Sequence, residues 1–123
     1  MRRLLVMSLA LLAVGCGARS TDHWLQQLKD PEVVKRRQAI RELGGRTAEA
    51  ERIVPALTEV LRDPNEFVRH DGATALGKFG PGAREAVPAL AAALKDKDRN
   101  VRRAAGAALQ KIAPETTAKA ERR

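Results

Sequence analysis

The chain repeats itself every 33 residues. Asp30, Asp63 and Asp96 stand at that interval, as do Arg36, Arg69 and Arg102, and Leu43, Leu76 and Leu109. Ile40, Ala73 and Gly106 form a further small or apolar set. Between the aspartates the same step links Val54 with Val87, Pro55 with Pro88, Leu57 with Leu90 and Leu61 with Leu94, with no insertion anywhere. A unit this short cannot bury an apolar face alone, so a fixed period of this length demands units stacked on their neighbours.

Each period holds two helical patterns. Helix A is expected at about 32–43, 65–79 and 98–112, because Phe67, Val68, Gly72, Ala73, Leu76 and Phe79 recur at three- and four-residue steps and make one stripe. Asn65 and Asp98 suit its N-cap. Helix B is expected at about 48–61 and 83–94, with Ile53, Val54, Leu57, Val60 and Leu61 as its stripe. Pro55 and Pro88 must lie in an early turn of B or bend it, since proline removes a donor. Gly44-Gly45 and Gly80-Pro81-Gly82 are the A-to-B turns. The composition agrees: alanine, leucine and valine dominate the apolar residues, aromatics are scarce, and no run alternates cleanly, so the fold class is all-α.

The ends of the pattern are incomplete. One period back from Leu57 and Leu61 stand Trp24 and Leu28, so residues 22–28 read as a lone B-type cap helix with Trp24 as its apolar plug. One period on from Leu90 stands Arg123, so the third B helix lacks its leucine. Residues 115–123 are expected to be a polar, partly frayed tail. Val101, Ala105 and Leu109 would then be poorly covered, an apolar edge suited to a partner or a homodimer.

These residues resemble the short HEAT-like repeat first known from phycobilisome lyases. Its pattern runs Asp, Val-Arg, Ala, Leu-Gly, Val-Pro-Ala-Leu, then Leu before the next Asp. The second unit here gives Asp63, Val68-Arg69, Ala73, Leu76-Gly77, Val87-Pro88-Ala89-Leu90 and Leu94. The first departs with Lys35 in place of Val, and the third with Gln110 in place of Gly. The resemblance covers roughly residues 22–114 and implies a right-handed α-solenoid of about three helical hairpins, with repeats starting near 30, 63 and 96. It also implies that Asp30, Asp63 and Asp96 pair with Arg36, Arg69 and Arg102 as a ladder between neighbouring units.

The N-terminus reads as an address. Met1-Arg2-Arg3 is a basic start, Leu4 to Val14 carry no charge, and Gly15-Cys16-Gly17 follow, the layout of an export signal over residues 1–15. The apolar run is shorter than the ~20 residues a bilayer needs. Leu12-Ala13-Val14-Gly15-Cys16 resembles the lipobox of bacterial lipoproteins. That resemblance implies cleavage before Cys16, lipid such as palmitate on that residue, residues 16–21 as a linker, and an exported protein held on the periplasmic face of the cell envelope. Gly17 favours the outer membrane if the cell is Gram-negative.

Cys16 is the only cysteine, so no intrachain disulfide or cysteine zinc site can form. His23 and His70 are the only histidines, and they lack the repeated His-Glu pairs by which some HEAT-type oxygenases hold iron. No catalytic set, cofactor or metal site is expected. The formal charge is +8, or about +6 without Arg2 and Arg3, which is compatible with acidic partners, anionic lipid heads or nucleic acid and does not choose among them. Lys35, Arg37, Arg41, Lys97, Arg99 and Arg103 are cations the ladder does not require. Nucleic acid is set aside, because stacking aromatics are scarce. The function expected is a non-catalytic scaffold or adaptor that binds another protein. The candidate contact residues are Arg52, Glu59 and Arg84 on helix B, and Val101, Arg103 and Leu109 at the C-terminal end. The alternatives are a lyase or oxidoreductase accessory protein, or a purely structural envelope lipoprotein.

Overall fold

The computed structural model describes residues 18–122; the export segment 1–15 and Cys16 lie outside them. Seven α-helices follow one another: α1 Thr21–Gln27, α2 Val33–Gly44, α3 Ala50–Val60, α4 Glu66–Lys78, α5 Val87–Ala93, α6 Arg99–Ile112 and α7 Pro114–Glu121. Short 3₁₀ segments, Thr47–Glu49 and Gly80–Ala86, lead into α3 and α5. The described residues contain no strand. Helices α2, α4 and α6 are the A helices, and α1, α3 and α5 are of B type. Each A helix packs on the next A helix and on a neighbouring B element, which makes an α-solenoid of helical hairpins.

The residues of the 33-step explain the packing. Leu43, Leu76 and Leu109, Leu57 and Leu90, and Val54, Val68 and Val101 are all buried in one continuous core. Asn65 caps α4 by accepting the N–H groups of Phe67 and Val68, and Asp98 caps α6 by accepting that of Val101. Gly44 and Gly77 occupy one repeat position for a steric reason. A Cβ there would stand 3.3 Å from Ala75 or Ala108 of the next A helix, so glycine lets the two backbones close up. Gln110 departs from the pattern at the same position, but it is exposed on the last A helix, where no further A helix follows among the described residues.

Three expectations need correction. The second B helix does not begin at 83: Gly80 has φ +53° and Ala83 leaves the helical region, so 80–86 is 3₁₀ and α5 begins at Val87, with Pro88 in its first turn. Pro55, by contrast, lies inside α3. The segment after residue 114 is not a frayed tail, since Pro114–Glu121 is helical. That helix packs on α6 and carries the Arg84–Glu115 ion pair. Val101 (0% exposed) and Leu109 (4%) are core residues, so the uncovered apolar edge expected there for a partner or a homodimer is not found among the described residues.

Lys35 differs in burial from the residues at its repeat position. Val68 and Val101, at its repeat position, are fully buried. Lys35 is exposed and pairs with Glu32 at 3.2 Å, next to a cap helix of only seven residues. That cap is fastened by polar contacts outside the repeat. The Thr21 hydroxyl donates to Glu49 at 2.8 Å and accepts from Arg46 at 3.0 Å, while Arg52 pairs with Asp22. Trp24 is buried as the plug, and its indole N–H has no hydrogen-bond partner among the described residues.

Candidate functional site

The Asp and Arg series is brought together as a staircase. Arg36 grips Asp63 through Nε and Nη2 at 2.9 and 3.0 Å, and Arg69 grips Asp96 in the same way at 2.9 and 3.1 Å. Each Nη1 donates to two backbone carbonyls: Asp30 and Pro31 for Arg36, Asp63 and Pro64 for Arg69, Asp96 and Lys97 for Arg102. Each aspartate also accepts a backbone N–H two residues on, from Glu32, Asn65 and Asp98. One side chain thus ties the turn of its own unit to the turn of the next, with the bidentate fit that guanidinium and carboxylate allow. Burial raises the Asp96 carboxyl, but the hydrogen bonds from Arg69 and the Asp98 N–H, with the charges of Arg69 and Lys97, outweigh it and hold the group below its ordinary 3.8. These six residues face one another or the turns, so their work is inside the fold.

Several of the other candidates are also engaged internally. Arg52 pairs with Asp22 and Glu49, and Arg84 with Glu115. Arg37 donates to Asp71 of the next unit at 2.8 Å and lies over the Phe67 ring, a junction contact the 33-residue step does not reveal because the pair does not recur: one step on, Arg37 becomes His70 and Asp71 becomes Ala104. His70 lies 3.3 Å from the same Asp71. Arg103 is exposed on α6. Among the described residues, no three His, Cys, Asp or Glu side chains are grouped as a metal would need.

The B-helix face is different. Between α1 and α3 lies a groove of about 430 Å³, lined by Leu25, Leu28, Pro55, Ala56 and Val60, with Lys29, Glu59 and Asp63 at its polar edge. Between α3 and α5 lies a smaller one of about 180 Å³, lined by Thr58, Leu61, Arg62, Ala89, Ala92, Ala93 and Asp96. The second groove is the first displaced by one repeat. Leu28 becomes Leu61, Lys29 becomes Arg62, Ala56 becomes Ala89, Glu59 becomes Ala92 and Asp63 becomes Asp96. The sequence contained this signal in Leu28-Lys29-Asp30, Leu61-Arg62-Asp63 and Leu94-Lys95-Asp96, whose outer residues are structural.

The family profile for HEAT repeats matches residues 21–110, most of the chain. The chain belongs to the HEAT repeat family. Two solved structures are similar to this HEAT protein. A chain in the complex of CpcE and CpcF of phycocyanin lyase from Nostoc sp. PCC7120 is similar at 29% identity, with a TM-score of 0.69 over 80% of this chain and 41% of that one. An engineered protein shares the fold at 22% identity, with a TM-score of 0.63 over 78% of this chain and 46% of that one. The HEAT protein therefore spans less than half the length of either matched chain. No curated protein matches it.

Proposed function

We propose that this HEAT protein is a non-catalytic scaffold that holds another protein across its B-helix face, tethered to the cell envelope by lipid on Cys16. The observation that carries the reading is the pair of grooves built from the same repeat positions. A surface that recurs along a solenoid suits an extended protein segment, whereas an isolated enclosed cavity would suit a small molecule. The tether is supported by the basic start, the apolar run Leu4–Val14 and the small residue before Cys16. The localisation follows from it: exported, on the periplasmic face, at the outer membrane if the cell is Gram-negative.

A photo-reactive amino acid at Ala56 or Ala92 tests the scaffold in cells. Both residues line the grooves, so a discrete covalent adduct to a second protein is expected at each, and none when the label sits at exposed Ala107. Adducts absent from both grooves would overturn the reading. For the tether, Cys16→Ala should abolish incorporation of labelled palmitate and move the protein to the soluble fraction.

The similarity to a phycocyanin lyase complex supports one second reading, an accessory protein of a lyase or oxidoreductase. Visible absorbance from a bilin, or iron in stoichiometric amount, in the purified protein would favour it over the scaffold.

A further inference from the structure

We propose that copies of this chain join head to tail, with Arg102 of one gripping Asp30 of the next, so that the ladder inside each molecule continues from one molecule into another. The contact lies at the two ends of the stack and is separate from the B-helix face.

The two ends hold the two halves of one rung. Arg102 keeps both of the carbonyl bonds that aim Arg36 and Arg69, from Nη1 to Asp96 and Lys97 at 2.7 and 3.2 Å. Arg36 and Arg69 use Nε and Nη2 to hold Asp63 and Asp96. On Arg102 those two nitrogens have no partner among the described residues, and the side chain is exposed. Asp30 is the converse. Its Oδ1 accepts the Glu32 N–H at 2.9 Å, as Asp63 accepts that of Asn65 and Asp96 that of Asp98. No arginine grips it among the described residues. A fork already held by two bonds and a carboxylate already held by one have lost much of the freedom that pairing would otherwise cost.

The rest of the two ends fits the same register. At the inner junctions Gly44 faces Ala75 and Gly77 faces Ala108. Carried across the ends, that position pairs Gln110 with Glu42, an amide donor with a carboxylate. Where Arg37 holds Asp71, the ends pair Arg103 with Gln38, a guanidinium with an amide carbonyl. All four are exposed, and none of their side chains is in a hydrogen bond or ion pair among the described residues. Helix α1, Thr21–Gln27, stands one step before Val54–Val60 and two before α5, Val87–Ala93. A second copy therefore brings to α6 a B-type helix followed by its aspartate turn. Gln110 and Glu42 are longer than the glycine and alanine they replace. The joint between molecules is accordingly wider and more polar than the joints within one, so it is reversible and weakened by salt. A contact between unlike surfaces does not pair two copies off by two-fold symmetry; it builds open chains or rings.

The test places a photo-reactive amino acid at Gln110 of the full chain, purified in detergent. Irradiation should give a ladder of dimers, trimers and larger adducts on a denaturing gel, with the crosslinks mapping to α2 of another copy around Glu42. Arg102→Asp and Asp30→Arg should each lower the adduct yield about tenfold, because like charges then face each other across the joint. Mixing the two variants should restore it, since each supplies the partner the other lacks; a residue that serves only its own fold is not rescued in trans. A second pair uses side chains with no bond inside the fold, and it decides the matter if Asp30→Arg loses its helical circular dichroism. Gln38→Arg should lower the yield about tenfold by facing Arg103, and R103E/Q38R should recover it. The proposal is overturned if the natural chain gives no adduct to its own sequence, or if the crosslinks run from residue 110 to residue 110 and stop at the dimer. It is equally overturned if mixing the folded variants restores nothing, or if Gln38→Arg crosslinks as well as the natural chain.

Discussion

Arg69 and Arg102 are the same residue at the same point of the repeat, and they live differently. Both place Nη1 on two turn carbonyls. Arg69 also holds Asp96 through two nitrogens, and its side chain is 7% exposed. Arg102 has no carboxylate partner among the described residues and is exposed. The difference shows that the repeat supplies the donor, while a following unit supplies the acceptor and excludes the water. Energy in this fold is concentrated at junctions, not within units.

The largest expected effect lies at the inner junction. Arg69→Ala should cost ~3–5 kcal/mol, because it strands the Asp96 carboxylate with little water to take over. In a domain whose whole stability is on the order of 5–15 kcal/mol, that loss should be plain as a lower urea midpoint. Arg102→Ala should change stability by no more than ~1 kcal/mol, since only hydrogen bonds to exposed turn carbonyls are lost. Equal costs for the two would break the comparison.

Two glycines sharpen it. A Cβ on Gly72 would meet Val60 Cγ1 at 2.6 Å, so Gly72→Ala should destabilise by ~1–3 kcal/mol. On Gly106 the nearest atom is Leu94 Cδ2 at 3.7 Å. Gly106→Ala should therefore stabilise by up to ~1 kcal/mol through helix propensity alone. Thermal melts of the pair should move in opposite directions. Next in size is Asp98→Ala, which removes the cap on Val101 N–H and should cost about 1 kcal/mol.

Acid gives the finest discrimination. The Asp96 carboxyl is held below its ordinary 3.8, so its stabilising contribution is complete above that value and is lost as pH falls through the lower, folded one. Asp96→Asn should lower stability at neutral pH and flatten the part of the acid limb below about pH 4. An acid limb identical in the two proteins would mean that Arg69 and Asp96 are not coupled as the geometry shows.

Much of this was legible before any coordinates. The 33-residue step located most of the helices and the Leu-Gly turn ends, because a stacked repeat forces the same residue into the same surroundings each time, while the Asp–Arg ladder was implied by the resemblance to HEAT-like repeats. What escaped the step were contacts that do not obey it. Arg37–Asp71 is made by residues that become His70 and Ala104 one step on, and the Thr21–Glu49–Arg46 cluster occurs once, at the cap. The rims Lys29 and Arg62 did obey it, but a cation after a helix looks alike whether or not a groove lies beside it.

By itself, the sequence determined the period and the all-helical class, since these depend on local propensity and on spacing that a chain carries along its length; the HEAT family came from the resemblance of its motif residues. Only the tertiary structure decided which copies of a repeated residue are buried. Val101 and Leu109 lie inside although they belong to the last A helix, and Lys35 lies outside at the repeat position where Val68 and Val101 are buried. Burial belongs to a residue's neighbours across the stack, and those are fixed only when the units come together.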